Sequence, residues 1–246
     1  MHLSSLKQNK ADKSWNEWLA GLIDAGGCLL ISSDGYPSLE ITMGIFDKLA
    51  LMQIKQKLNG SVKLRSKAQA FRYRLHNKKG MLILLSKINS LCQNPIRLFQ
   101  LEKMCSKLNL IFEKTNILTL ENGWFAGFFD GDGTIGYFFK NGWPQLILSV
   151  SNKKIENCQF FQQFFGGKIH LDKRCNTYKW ALSKKEEILF FANYLTKYPL
   201  RSFKKKRFFL ISEFFALRQI RAYAQPPETL TYKAWCLFEK KWSKLA

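Results

Sequence analysis

The sequence predicts an α+β fold built twice over, on three observations. Ten residues recur: Trp18 to Gly27 reads WLAGLIDAGG, and Trp124 to Gly133 reads WFAGFFDGDG, an offset of 106 residues. Each copy is followed by two short runs in which apolar and polar residues alternate, the period of a half-buried strand. Each then continues into a helical stretch that stops at glycine, Gly60 in the first half and Gly166-Gly167 in the second. A repeat of this length signals two similar half-domains in one chain.

Taken in order, the first motif places Trp18, Leu19, Leu22 and Ile23 at helical spacing, and the second places Trp124, Phe125, Phe128 and Phe129 likewise. Strands are expected at 28–33 and 38–45 around an Asp34-Gly35 turn, and at 135–140 and 145–151 around Asn141-Gly142. Helices follow at 48–58 and 154–165. A second strand pair comes next in each half, 61–66 with 71–76 and 168–172 with 178–182. Helices close the halves at 80–92, 96–110, 186–195 and 201–221. Ala224-Gln225-Pro226-Pro227 breaks the pattern, and 232–245 reads as an added helix carrying Trp235, Phe238 and Trp242. The expected organisation is a basic N-terminal extension at 1–13, a first repeat at 14–115, a second at 116–224 and a helical tail at 225–246. Residues 112–120 join the halves.

Of the 246 residues, 39 are Lys or Arg and 18 are Asp or Glu, a formal charge of +21. With 46% hydrophobic residues the chain has material for real cores, so disorder is not the default. A folded chain this basic points to a polyanion, nucleic acid before any membrane surface. No apolar run approaches the ~18 residues needed to span a bilayer. The six cysteines contain no CxxC pair and lie far from the three histidines, so a zinc cluster is unsupported and a reducing compartment follows.

The basic residues share strand faces. Val62 and Leu64 are expected inward, with Lys63, Arg65 and Lys67 outward. On the partner strand Phe71, Tyr73 and Leu75 face the core and leave Arg72, Arg74 and His76 outward. The second half offers Lys168, His170, Asp172 and Arg174, with Lys179 beside them. Ribbons of this kind enter nucleic-acid grooves, where arginine and lysine meet base edges and phosphates. A further cluster, Lys204 to Arg207, fits phosphate binding and plain solvation equally well.

The segments LAGLIDAGG at 19–27 and FAGFFDGDG at 125–133 resemble the signature of the LAGLIDADG homing endonucleases, in their two-repeat monomeric form. The resemblance covers about residues 14–222, and its first motif is degenerate. It implies two αββαββα repeats related by a pseudo-two-fold axis, with a saddle-shaped antiparallel sheet surface. The motif helices would pack side by side through Ala20, Gly21, Ala126 and Gly127. Their C-terminal ends, with the carbonyls of Ala25 and Gly131, would meet at the centre and attract a cation. An acidic residue just before the last glycine holds magnesium in active members, a place filled here by Asp132 but by Gly26 in the first copy. Asp24 and Asp130 fill the earlier acidic place and read as structural. The family's amide-bearing residue after the second strand maps loosely to Asp47 or Lys154. Its lysine maps loosely to Phe99 or Phe203, with Lys204 adjacent; Asp47 and Glu40 stand at the wrong spacing to replace Gly26.

The resemblance therefore implies a nucleic-acid-binding protein derived from an intron homing endonuclease, with magnesium as cofactor if it cleaves. Double-strand cleavage is expected to be impaired, and enzymatic status is left open. The favoured expectation is a binder of structured RNA, a splicing helper or a component of an organellar ribonucleoprotein. The alternative is a site-specific endonuclease or nickase on double-stranded DNA. A mitochondrial or chloroplast location, with the gene inside the organelle, fits the abundance of Lys, Phe, Ile and Asn.

Overall fold

A computed structural model of the protein describes residues 10–244. Of the expected 1–13 extension, residues 1–9 lie outside the described part, and Lys10 to Lys13 form the start of the first helix rather than a separate arm. The first half runs α1 (Lys10–Gly26), β1 (Gly27–Ile31), β2 (Pro37–Gly44), α2 (Lys48–Leu58), β3 (Ser61–Leu64), β4 (Ala70–Leu75), α3 (Lys78–Ile88) and α4 (Pro95–Lys107). The second runs α5 (Trp124–Asp132), β5 (Gly133–Lys140), β6 (Trp143–Asn152), α6 (Ile155–Phe165), β7 (Lys168–Asp172), β8 (Thr177–Leu182), α7 (Lys185–Lys197), α8 (Lys204–Phe208) and α9 (Ile211–Gln219). The tail is α10 (Leu230–Ser243), capped by the Thr229 side chain. Each half forms one four-stranded antiparallel sheet, in the orders β1-β2-β4-β3 and β5-β6-β8-β7. The architecture is α+β, as the repeats imply.

The halves are joined through α1 and α5. Gly21 and Gly127 let these helices touch backbone to backbone: a Cβ at Gly127 would fall inside the Trp18 carbonyl, and one at Gly21 inside that of Trp124. A reciprocal pair of buried hydrogen bonds accompanies the contact. The Trp18 indole donates to Asp130 Oδ2 at 2.8 Å, and the Trp124 indole donates to Asp24 Oδ2 at 2.7 Å. The repeated tryptophan of each copy is thus held by the aspartate of the other.

The two sheets differ in register in one place that matters. Gly27 pairs with Ile41 and Gly133 with Val150, while Ile41 and Val150 pair in turn with Tyr73 and Trp180. Ile41 and Val150 are therefore equivalent, and so are Met43 and Asn152 two residues on. Yet α2 begins seven positions after Ile41 and α6 only five after Val150. The surplus in the first half forms a single 3₁₀ turn, Ile45–Asp47.

Three expectations are corrected. Leu64, expected in the core, is 58% exposed, because it ends a four-residue edge strand. The helix expected over 201–221 is broken at Phe209-Leu210, and a 3₁₀ turn at Ala222–Ala224 follows. Breaking the helix there lets Phe214 pack on Tyr137, Trp235 and Phe238. The helix expected over 80–92 ends at Ile88, before Ser90 with its φ of 71°. The tail itself docks on β5, where Tyr137 donates a hydrogen bond to Glu239 at 2.9 Å beside the buried Trp235, Phe238 and Trp242.

Candidate nucleic-acid interface and central cavity

The basic residues gather in two grooves, one per sheet. In the first, Lys63, Arg65, Arg72, Arg74 and His76 line a space of about 340 Å³ together with Leu64. Glu40 enters this face from β2 and pairs with Arg74 at 2.5 Å and Arg72 at 3.4 Å. In the second, Lys168, His170 and Lys179 line a larger space of about 620 Å³ beside Phe138, Lys140 and Ile147. Lys67 and Arg174 line neither groove. Lys67 has a φ of 60° just beyond β3, and Arg174 sits in the β7–β8 turn, its amide donating to Asp172. The first groove is charged and internally paired, the second mixed and more apolar.

Where α1 and α5 end, a cavity of about 170 Å³ opens, lined by Gly26, Met43, Asp47, Gly131, Asp132 and Lys204 among others. The helix ends come close enough that a Cβ on Gly131 would collide with the Cβ of Ala25. Asp132 accepts a hydrogen bond from Asn152 Nδ2 at 2.8 Å. Burial raises its carboxyl to about 6, against the opposing pull of Asn152 and then of Lys204 and Arg97. Burial lowers the Lys204 ammonium, opposed by the carboxylates of Asp130, Asp47 and Asp132. Its Nζ donates to the carbonyls of Asp130 and Gly131, so the Gly131 carbonyl expected to be free is occupied by a cation from the chain itself.

Local structure explains how Lys204 reaches this point. Asp130 accepts hydrogen bonds from the Arg201 and Ser202 amides, and Ser202 Oγ in turn accepts the Lys204 amide. The first half repeats the arrangement with other residues: Asp24 accepts from the Gln93 amide, and Asn94 Oδ1 accepts from the Ile96 amide. Ile96 is therefore the counterpart of Lys204. The neighbouring Arg97 turns to the Ile23 carbonyl at 3.1 Å rather than to the cavity. Asp24 Oδ2 and both oxygens of Asp130 are engaged in this internal work, while the buried Asp24 Oδ1 has no partner. Burial raises the Asp24 carboxyl to about 7.

The centre is thus one-sided. The second half brings Asp132, Asn152 and Lys204 together; the first has Gly26, Met43 and Ile96 at the same places. Asp47, set aside on spacing, enters the cavity because the two surplus residues before α2 carry it there. Its Oδ1 accepts the Phe203 amide at 2.6 Å. Asn152 and Met43 were not singled out from sequence, since their equivalence is set by strand register. Phe99 and Lys154 line no part of the cavity, and neither does Glu40, which stays with its arginines.

Two matched halves, locked helix to helix with a polar cavity at the helix ends and a basic groove on each sheet, define a class of two-repeat α+β protein. The model of the LAGLIDADG endonuclease family matches residues 125–215. The chain is 44% identical over 233 residues to the intron-encoded RNA maturase bI4 of Saccharomyces cerevisiae, covering 93% of this chain and 36% of that protein. It is 31% identical over 243 residues to the intron-encoded DNA endonuclease ai2a of Dictyostelium discoideum, covering 96% of this chain and 77% of that protein. Among solved structures, the homing endonuclease I-GzeII in complex with its DNA target superposes with a TM-score of 0.68 at 19% identity, over 92% of this chain and 97% of the other. The chain belongs to the LAGLIDADG endonuclease family, among the intron-encoded members. It spans little more than a third of the length of the yeast maturase.

Proposed function

We propose that this protein binds structured RNA as an intron splicing helper, and that its capacity for double-strand DNA cleavage is lost. The observation that carries this is the one-sided centre: three polar groups at one helix end face glycine, methionine and isoleucine at the other. Cleaving two strands needs two working centres, and charge stabilisation removed from one costs about 10²–10³-fold there. The basic grooves remain, and the likeness to an RNA maturase supports RNA as the ligand. Organellar synthesis, in a mitochondrion, fits the intron-encoded relatives, as does assembly with a larger ribonucleoprotein.

A second reading has its own observation. Asp132, Asn152 and Lys204 form a complete set on one side and favour a strand-nicking endonuclease. The carboxylate oxygens there fit a single magnesium ion: Asp132, with Asp47 as a second carboxylate in the same cavity. Among the described residues no three Asp, Glu, His or Cys side chains are placed to hold a metal ion together, so water and phosphate oxygens would complete such a shell. A bound magnesium ion supplies Lewis-acid stabilisation of the phosphate. Asn152 orients the Asp132 carboxylate by donating to one oxygen, and Lys204 places positive charge where negative charge grows.

One experiment separates the readings. Supercoiled plasmid carrying the cognate intron-insertion site is incubated with protein and magnesium, and the cognate intron RNA is titrated in parallel over a salt series. The first reading expects salt-dependent RNA binding and no linear plasmid. Linear plasmid at wild-type concentrations overturns it, and nicked circles without RNA binding establish the second.

A further inference from the structure

Beside the central cavity lies a second one, of about 160 Å³, which shares Gly44, Asp47 and Lys204 with it and adds Phe46, Phe203 and Arg207. Phe46 and Phe203 stack with ring centroids 4.9 Å apart and planes 26° from parallel. Lys206 lies over the Phe203 ring at 4.4 Å, so Phe203 is engaged by a cation as well as by its aromatic partner. Phe46 takes no second ring and no cation among the described residues, and it is 62% exposed. What sets Phe46 apart from the other exposed aromatics is its place: it lines the cavity beside the polar centre, with one ring already stacked on it.

We propose that Phe46 is a stacking platform for one unpaired RNA base, an inference that rests on the RNA-binding reading above. Bases inside a duplex show only their edges, and their faces are covered by neighbours; an unpaired base offers a face to an aromatic ring. Lys206 over the Phe203 ring and Arg207 in the same cavity lining bring positive charge beside the pair for an adjoining phosphate. The platform has no counterpart in the other half. Phe46 belongs to the three-residue 3₁₀ turn that takes up the two surplus residues, whereas only Lys153 and Lys154 separate Asn152 from the start of α6. A single platform marks one position on an otherwise two-fold surface, which suits an asymmetric ligand such as a helix with one bulged nucleotide.

The test uses the full chain and a short RNA duplex, prepared flush or with one bulged 2-aminopurine, at low salt. Wild-type protein is expected to prefer the bulged duplex and to quench its fluorescence. Phe46→Ala is expected to lose that preference by about 5- to 150-fold, the span for removing one base–aromatic stack, while its affinity for the flush duplex and its thermal midpoint hold. Phe46→Trp keeps the preference. Equal binding of both duplexes by wild type, or an equal loss on both in Phe46→Ala, overturns the platform and leaves RNA binding standing. Tighter binding of a bulged DNA duplex than of the RNA assigns the site to DNA and also overturns it. Failure to bind either RNA duplex and the intron RNA overturns the functional reading and the platform together.

Discussion

The two halves share a fold to within a few residues and differ almost completely where chemistry would occur. Both motif helices carry the same tryptophan, glycine and inner aspartate, and those residues tie the halves together. The outer motif position, the residue two positions past Val150 or Ile41, and the residue two places after Ser202 or Asn94 are Asp132, Asn152 and Lys204 on one side. On the other they are Gly26, Met43 and Ile96. Residues that hold helix to helix are duplicated, and residues that face the cavity are not. The constraint on the first group is steric and mutual, whereas the second group can change without disturbing the core.

The largest expected effect breaks this comparison at its active side. Asp132→Asn should lower nicking of supercoiled DNA, where nicking is found, by about 10²–10³-fold, and should abolish terbium luminescence sensitised at the cavity. Gly26→Ala should change neither. Equal losses from both substitutions would show that the centre is not one-sided.

A packing test comes next. Gly127→Ala drives a methyl group into the Trp18 backbone, and overpacking of this kind costs about 1–3 kcal/mol. At 2–4 °C per kcal/mol for a chain of this size, the thermal midpoint should fall by roughly 2–12 °C. Gly21→Ala should do the same, because the contact is reciprocal. Calorimetry that finds only one of the two destabilising would show the helix pair to be asymmetric too.

The inner aspartates give a pH signature. Asp24 is raised from 3.8 to about 7, first by burial, with its hydrogen bonds from Gln93, Trp124 and Asn94 opposing. The folded state therefore holds more protons than the unfolded one between those values, so Asp24 contributes most below pH ~4 and its contribution is lost as pH rises through about 7. Thermal midpoints recorded from pH 4 to 8 should decline less in Asp24→Asn than in the parent. An identical decline would place the ionisation elsewhere.

Two milder changes sharpen the contrast. Nothing lies within 4 Å of a Cβ built on Gly26, so Gly26→Asp should leave stability within about 0.5 kcal/mol. It should raise terbium binding yet produce no linear plasmid until Met43→Asn and Ile96→Lys accompany it. Linear product from the single substitution would mean that Asp47 already serves the first side. Last, Glu40→Gln releases Arg72 and Arg74 from their ion pairs. RNA affinity should rise modestly, with a salt slope steeper by about 1.

Much of this was legible in the sequence. The motif helices, the alternation of the strands and the stop glycines placed α2 at Lys48–Leu58 and β7 at Lys168–Asp172 with the bounds the structure gives. The basic strand faces could be read because period two fixes which side chains share a side. The cavity could not be assembled the same way. Which residue of β2 answers to which of β6 depends on hairpin length, a five-residue connection from Ser32 to Tyr36 against the two residues Asn141 and Gly142, both at positive φ. A slip of two residues keeps the inward pattern intact and so leaves no trace in hydrophobicity. Asn152 was hidden by that slip. The placing of Lys204 over the α5 carbonyls depended on Ser202 and Asp130, contacts made across some seventy residues of chain.

The crossed tryptophan–aspartate pairs have a consequence for how such a chain can drift. Cohesion between the copies is lodged in Trp18, Asp24, Trp124 and Asp130, and none of them is the outer position, Gly26 or Asp132, two residues past each aspartate. A tip residue can therefore decay in one copy while assembly of the pair is left untouched. Change at one tip leaves the two cationic grooves, which lie on the sheets away from it, as they were.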